Sequence, residues 1–382
     1  MALIRRQLQA VIQDRMFGGK AIILIGARQV GKSTLFEQIL GDPKLGIRND
    51  QILSIYCDDA ESRRMLENIS LADLHQQLAG KRLVMVDEAQ RVQGIGLTLK
   101  LITDHFKDVQ LLVTGSSSFM LQGKLNEPLT GRKFEYHLYP LSTKELFDDG
   151  GLLRIRQTFE SRLIYGSYPD VVTGAGNPRD LLMNLSGSYM YQDLLSLEGV
   201  RKPVLLEKLL VALALQVGSK VSYSELAQTI GTDNKTVEKY VDLLEKCYII
   251  FRLNGLSRNL RNELKKAKKI YFYDNGIRNA VIQQFAPLDM RNDVGALWEN
   301  FFISERIKHN HYTGHYCNMY FWRTKTQQEV DYIEEYDGMM TAFEMKWNPK
   351  KGKTTFSQAF VETYNVKETV VITPDNYLDW LT

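Results

Sequence analysis

The chain is poor in cysteine, with 3 among 382 residues. Cys57, Cys247 and Cys317 stand far apart and are odd in number. They form neither a disulfide framework nor a Cys-x-x-Cys metal site, and their usage fits a reducing, cytoplasmic setting. Long apolar runs are also lacking. The longest, such as Ala21–Ile25 and Leu209–Val217, fall far short of the roughly 20 residues a spanning helix needs, so no membrane partner is expected. No apolar stretch follows the charges of Met1–Arg6, so no secretory signal is expected there. Charge of one sign is missing too: 48 Lys and Arg against 45 Asp and Glu leave +3. That excess is too weak to argue for a nucleic-acid partner, and local distribution must decide. There is no internal repeat and no low-complexity tract.

What is present is an ordinary globular profile, 44% hydrophobic and 24% charged, on a length that suits two or three domains. In the first third, apolar runs at Ala21–Ile25, Ile52–Tyr56, Arg82–Val86 and Val109–Val113 alternate with helix-length segments. Short buried strands joined by helical crossovers predict a mostly parallel α/β sheet. The pattern stops near Pro140-Leu141. Residues 142–200 read as helical, with breaks at Gly150-Gly151 and Gly166–Pro169. Three helical stretches and a strand-like run, Tyr248–Leu253, follow. The remainder opens with a helix near Val294–His309 and continues as short strands.

The sharpest motif is Gly26-Ala27-Arg28-Gln29-Val30-Gly31-Lys32-Ser33, which matches GxxxxGK[ST] between a strand and a helix opening at Thr34. Glycines let the backbone wrap a phosphate, while wrapped N–H groups and the helix N-terminus attract it. Residues 26–34 are therefore predicted to cradle ATP, with Lys32 at the β- and γ-phosphates and Ser33 on Mg²⁺. The run Leu83–Glu88 reads as a buried strand ending in two acids, where open α/β sheets bind ligands. Asp87 is predicted to hold the ATP-bound Mg²⁺ and Glu88 to orient and deprotonate the attacking water. Another strand ends in Thr114-Gly115-Ser116-Ser117. Ser116 or Thr114 either senses the γ-phosphate or the water, or caps a helix. Arg132 is either an arginine finger, in cis or from a neighbouring copy, or a solvated surface group.

Ser222–Val237 reads as helix–turn–helix, with Gly231 ending one helix and Asp233 capping the next. Leu226, Ala227, Ile230, Val237, Tyr240, Val241 and Leu244 give the apolar face. Tyr248–Leu253 and Ile270–Tyr273 are candidate wing strands, and such a module can place a helix in a DNA groove. Between Asp233 and Lys246, however, three lysines meet four acids. The basic material lies next door, in residues 258–269: Arg258, Arg261, Lys265, Lys266, Lys268 and Lys269 against Glu263. The segment either tracks a nucleic-acid backbone or is a solvated loop.

Near the C-terminus, Gln328–Glu335 and Met339–Trp347 alternate like strands around Asp337-Gly338, a type I′ hairpin signal. A two-residue loop pairs positions whose numbers sum to 675, setting Asp331 opposite Glu344 with Lys346 on the same face. Facing carboxylates repel unless compensated. Either a Mg²⁺ or Mn²⁺ ion does so, with Glu299 as a third carboxylate and Lys346 as the catalytic lysine, or the face is solvated and Lys346 satisfies one acid.

The phosphate loop, Val-Asp-Glu-Ala-Gln at 86–90, Thr-Gly-Ser-Ser at 114–117, Gly131-Arg132 and Leu138-Tyr139-Pro140-Leu141 together resemble bacterial and archaeal AAA-type ATPases that join a P-loop core to a C-terminal domain of unknown function. Tyr165-Gly166-Ser167-Tyr168-Pro169 and Lys269–Gly276 also look like motifs of that family. The resemblance implies an AAA-like ATPase core at 1–141, a helical lid or linker at 142–204, a winged-helix-like region at 205–275 and a restriction-endonuclease-like α/β domain of the PD-(D/E)xK type at 276–382. Under it Asp331, Glu344 and Lys346 match that fold's metal and catalytic positions and Glu299 its helical acid, while Glu329-Val330-Asp331 departs from the usual Pro-Asp. Three functions remain open: an ATPase with a metal-dependent nuclease domain, a DNA-binding switch with an inert nuclease fold, and an ATP-driven protein-interaction module. Self-association is a further expectation.

Overall fold

The computed structural model describes residues 3–116, 129–189, 202–257, 268–324, 328–348 and 356–382. The chain divides into two compact units, Arg5–Tyr139 with Lys246–Tyr248, and Pro140–Glu245 and Ile249–Thr382 with the first four residues.

The first unit contains α1 (Gln7–Arg15), β1 (Ala21–Ile25), α2 (Lys32–Leu40), β2 (Ile52–Tyr56), β3 (Leu83–Asp87), α3 (Ile95–His105), β4 (Gln110–Gly115) and β5 (Lys133–His137). Its five strands lie in the order β2-β3-β4-β1-β5, all parallel. Every residue of β1 and β4 is buried, as continuous apolar runs in a two-sided sheet require. β5 has no such run. Its Lys-Phe-Glu-Tyr-His sequence is half-buried throughout because it closes the sheet edge.

The second unit contains α4 (Thr143–Tyr165), α5 (Pro203–Leu215), β6 (Lys220–Val221), α6 (Tyr223–Ile230), α7 (Asn234–Lys246), β7 (Ile250–Gly255), β8 (Lys268–Phe272), α8 (Asn275–Val281), α9 (Val294–Thr313), β9 (Asn318–Arg323), β10 (Glu329–Tyr336), β11 (Met339–Met345), α10 (Gln358–Tyr364) and β12 (Val366–Ile372). Gly151 breaks α4 with φ 66°. Gly231 ends α6 at φ 77°, and Asp233 caps α7 by accepting from the Thr236 N–H at 3.0 Å. Asp337 and Gly338 both take positive φ, and Tyr336 pairs with Met339 and Tyr332 with Phe343, the hairpin register read from the spacing.

One sheet of seven strands, β12-β11-β10-β9-β7-β8-β6, runs through this unit. Its join is a parallel pairing of β7 with β9, Asn254 to Tyr320 and Gly255 to Phe321. Segments 205–275 and 276–382 therefore share a sheet, a long-range pairing that local patterns do not carry.

The segments Tyr165–Pro169 and Lys269–Gly276 interlock here. Asn275 and Asn279 donate to the Leu163 and Ile164 carbonyls, which α4 leaves open at its C-terminus. Asp274 caps α8 and also accepts from the Ser167 N–H at 2.7 Å. A Cβ on Gly276 would lie 2.2 Å from the Tyr165 carbonyl oxygen, and one on Gly166 would lie 1.9 Å from the Asp274 carboxylate. Gly276→Ala should therefore lower stability in urea unfolding by about 2–3 kcal/mol. Gly314→Ala, at positive φ but with nothing within 4 Å, should cost about 1 kcal/mol.

Candidate functional site

The phosphate loop joins β1 to α2. Gly31 sits at φ 91° as the N-cap of α2, a conformation that favours glycine. Gly26 is needed for a different reason: β5 leads into Leu138, whose N–H donates to the Ile25 carbonyl at 2.7 Å, and a Cβ on Gly26 would come 2.1 Å from the Leu138 carbonyl oxygen. Lys32, 5% exposed, donates to the carbonyls of Gly26 at 3.1 Å and Ala27 at 2.8 Å. Its ammonium is thus held inside the loop. Thr34 is exposed on the first turn of α2.

The C-terminal ends of β1, β3 and β4 are level, with Ile25 beside Gly115 and Val86 beside Val113. That register brings the motifs together. The Ser33 hydroxyl stands 2.9 Å from both Asp87 oxygens. The Thr114 hydroxyl donates to Asp87 and accepts from the Glu88 N–H at 3.0 Å. Glu88 takes a left-handed φ of 51°, turning the chain immediately after the strand. Gln90 donates to the Glu88 carboxylate and to the Ser116 hydroxyl at 2.8 Å. Serine hydroxyl and carboxylate are hard oxygen donors, side by side at a phosphate loop, and this set fits Mg²⁺.

Sequence reading missed Arg6. It is 5% exposed and donates to the Val30 carbonyl in the loop and to the Tyr139 carbonyl, both at 2.6 Å. Its partners lie 24 and 133 residues away, so no local pattern exposes it. Arg132 is placed otherwise than a finger in cis requires. It immediately precedes β5, and its carbonyl accepts from the N–H of Ala21, the first residue of β1. Parallel pairing puts it at the end of the sheet opposite the phosphate loop, where it binds Asp104 at 2.6 Å. The strand length of β1 separates it from its own chain's phosphates, which corrects the cis reading.

The second unit holds a separate charged cluster. On β10, Asp331 accepts from the Met345 N–H at 3.0 Å, and Lys346 binds Glu344 at 2.7 Å. Into the same cluster β8 sends Lys269, whose ammonium lies 2.6 Å from Glu329, 3.1 Å from Glu299 and 3.9 Å from Asp331. Tyr271 donates to Glu299 at 2.6 Å. Burial, then the charge of Glu299, lifts Asp331 to about 7, with Lys269 opposing. Burial also opposes charge on Lys269, but Glu299, Asp331 and Glu329 outweigh it and hold the ammonium above its usual range.

Two expectations are corrected by this arrangement. Lys269 is 1% exposed, so it is not part of a solvated basic strip; residues 258–267 of that strip lie outside the described residues. Nor do Glu299, Asp331 and Glu344 converge as a divalent-metal trio. Among the described residues, the one His, Cys and carboxylate trio with ligand atoms within 4.8 Å of one another is His315, Cys317 and Glu334. The donor set around Asp331 does not fit the expected ion, because an internal ammonium already stands among the acids.

An AAA domain model matches residues 18–147. Two models, each described as a domain of unknown function, match residues 156–288 (DUF8612) and 294–380 (DUF4143). An uncharacterized protein of Haemophilus influenzae is 27% identical over 276 residues, 68% of each chain. An uncharacterized protein of Mycobacterium tuberculosis is 26% identical over 362 residues, 91% of this chain and 74% of that one. Among solved structures, a replication initiator DnaA bound to AMPPCP and single-stranded DNA has a TM-score of 0.35 and 16% identity, over 63% of this chain and 86% of that one, a likeness too low to argue from. The family match, the all-parallel sheet and the loop facing two acids make residues 18–147 an AAA-type P-loop ATPase domain.

Proposed function

We propose that this chain is a Mg²⁺-dependent ATP hydrolase working as a switch at DNA, with a C-terminal nuclease-like scaffold that does not cut. The observation that carries the ATPase half is the unbroken hydrogen-bond chain from Ser33 through Asp87, Thr114, Glu88 and Gln90 to Ser116. The loop's N–H groups and the N-terminus of α2 bind the triphosphate. Lys32 exchanges its two carbonyl partners for β- and γ-phosphate oxygens. Mg²⁺, held by Ser33 and Asp87, supplies positive charge to the phosphates when bound. Glu88 orients the attacking water and takes its proton, while Gln90 fixes one of its carboxylate oxygens and links it to Ser116. Arg6 is a positioning residue that holds the loop at Val30. Arg132 takes part only from a neighbouring copy.

The DNA half rests on the pair α6 and α7. Arg252 binds Asp242 at 2.6 Å and also Glu245, so two of the four acids between 233 and 246 are matched within the unit. Asp233 is spent on capping its own helix. Asn234, Lys235 and Lys239 remain exposed on α7, beside Glu238. A helix so arranged can approach phosphates.

Lys32→Ala should abolish binding of a fluorescent ATP analogue. Glu88→Gln should keep that binding and lower steady-state turnover by at least about a hundredfold; turnover at the wild-type rate would overturn the mechanism. Arg6→Met should raise KM for ATP by about tenfold, the loss of a charged hydrogen bond, with a smaller change in kcat. In fluorescence anisotropy, DNA should bind at low salt, weaken as salt rises, and weaken further in a Lys235→Gln, Lys239→Gln protein. No DNA shift at low salt would overturn the DNA half and favour a protein-contact role.

A further inference from the structure

We propose that Lys269 is a built-in counter-cation among Glu299, Glu329 and Asp331, and that its ammonium excludes a divalent ion from the nuclease-like face. The proposal rests on the reading of that face as a scaffold only for its biological meaning; the geometry stands independently.

Three features support it. The first is placement. On β8, Lys269 and Tyr271 are two residues apart and reach the same side, where both bind Glu299 on α9. Lys269 pairs across the sheet with Lys220 and Leu253, so its backbone is fixed on both flanks. Its ammonium also lies 5.6 Å from the centre of the Phe321 ring, a favourable seat for a cation. A side chain 1% exposed and held by several partners is part of the site rather than a visitor to it.

The second is the presence of protein donors. The carboxylates that a metal would need already have protein donors. Glu299 accepts from Lys269 and Tyr271, Glu329 from Lys269 and Arg323, Asp331 from the Met345 N–H, and Glu344 from Lys346. A Cβ on Gly218 would lie 3.3 Å from a Glu299 oxygen, so the wall is close on that side as well.

The third is charge. Four acids face three cations, Lys269, Lys346 and Arg323. A divalent ion would place two more positive charges within a few ångströms of an ammonium that cannot move away. Removing that ammonium leaves four acids against two cations, a hard-oxygen cluster of the kind Mg²⁺ and Mn²⁺ prefer.

The test is Mn²⁺ binding followed by electron paramagnetic resonance, on the full chain without nucleotide. Wild-type and Asp331→Asn proteins should bind Mn²⁺ identically, because the cluster contributes nothing in either. Lys269→Gln should gain about one further equivalent, bound at least tenfold more tightly than any ion the wild type holds in this unit. Mn²⁺ should also raise the melting temperature of this variant more than that of the wild type, and the Lys269→Gln, Asp331→Asn double variant should lose both gains. Wild-type binding that Asp331→Asn removes would overturn the proposal, as would a folded Lys269→Gln protein that gains no ion. Should Lys269→Gln fail to fold, the comparison of wild type with Asp331→Asn still decides. Cleavage of DNA by wild type that binds no Mn²⁺ here would sink the scaffold reading and leave this inference standing; cluster-dependent Mn²⁺ binding without cleavage would do the reverse.

Discussion

Two oxygens of Asp87 stand 2.9 Å from the Ser33 hydroxyl, and the nucleotide site depends on that contact. Ser33 and Asp87 are 54 residues apart. They meet because β1, β4 and β3 are neighbours that end level, so the loop after one strand and the acid closing another share one rim of the sheet. Thr114 completes the rim from the strand between them, bonding the Asp87 side chain and the Glu88 backbone with one hydroxyl. Glu88 then turns at positive φ rather than continuing the strand. The phosphate loop, Asp87 and Glu88 are thus set by strand register rather than by their own spacing.

The second unit is governed by a different constraint, the need to match every buried charge. Glu305 is 2% exposed and sits between Lys308 at 2.7 Å and Arg162 at 3.5 Å. Glu334 is bound by Arg306 through two bonds of 2.9 Å and also accepts from Tyr332 and Asn310. The last pairing bears on the His315, Cys317 and Glu334 trio. Its carboxylate is already matched by a guanidinium, and burial together with the charge of Glu334 pushes the Cys317 thiol up to about 12. Lys269 follows the same rule among a larger group of acids.

Much of this was legible in the sequence where the physics is local. The four apolar runs become β1 to β4, Gly231 and Asp233 bound the helix–turn–helix, and Asp337-Gly338 fixes a hairpin whose pairing arithmetic holds. What stayed hidden is nonlocal. β5 is half-buried and carries charge, so its pattern resembles loop. Arg6 reads as one more N-terminal basic residue until its carbonyl partners are folded against it. Lys269 belongs by count to a run of basic residues, yet strand alternation turns it inward while Lys268 stays half-buried near the Tyr223 ring. Gly26 was read as making room for phosphate, and the strand beside it demands glycine first. The Asp274-Asn275-Gly276 motif gains its meaning only from the end of a helix more than a hundred residues earlier.

The parallel pairing of β7 with β9 connects these points. It extends the strands of the hairpin Glu329–Met345 into those that follow the helix–turn–helix, so that β8 lies in the same sheet as the acids of β10. A boundary drawn at residue 275 separates Lys269 from Glu329 and Asp331 and cuts Asn275 from the Leu297 carbonyl in the first turn of α9. The acids on one side would then lack their cation, and the cation on the other would be buried without acids. An arrangement in which neither half can balance its charge alone is one in which the helix–turn–helix and the strands β9 to β11 must fold together, whatever chemistry either performs.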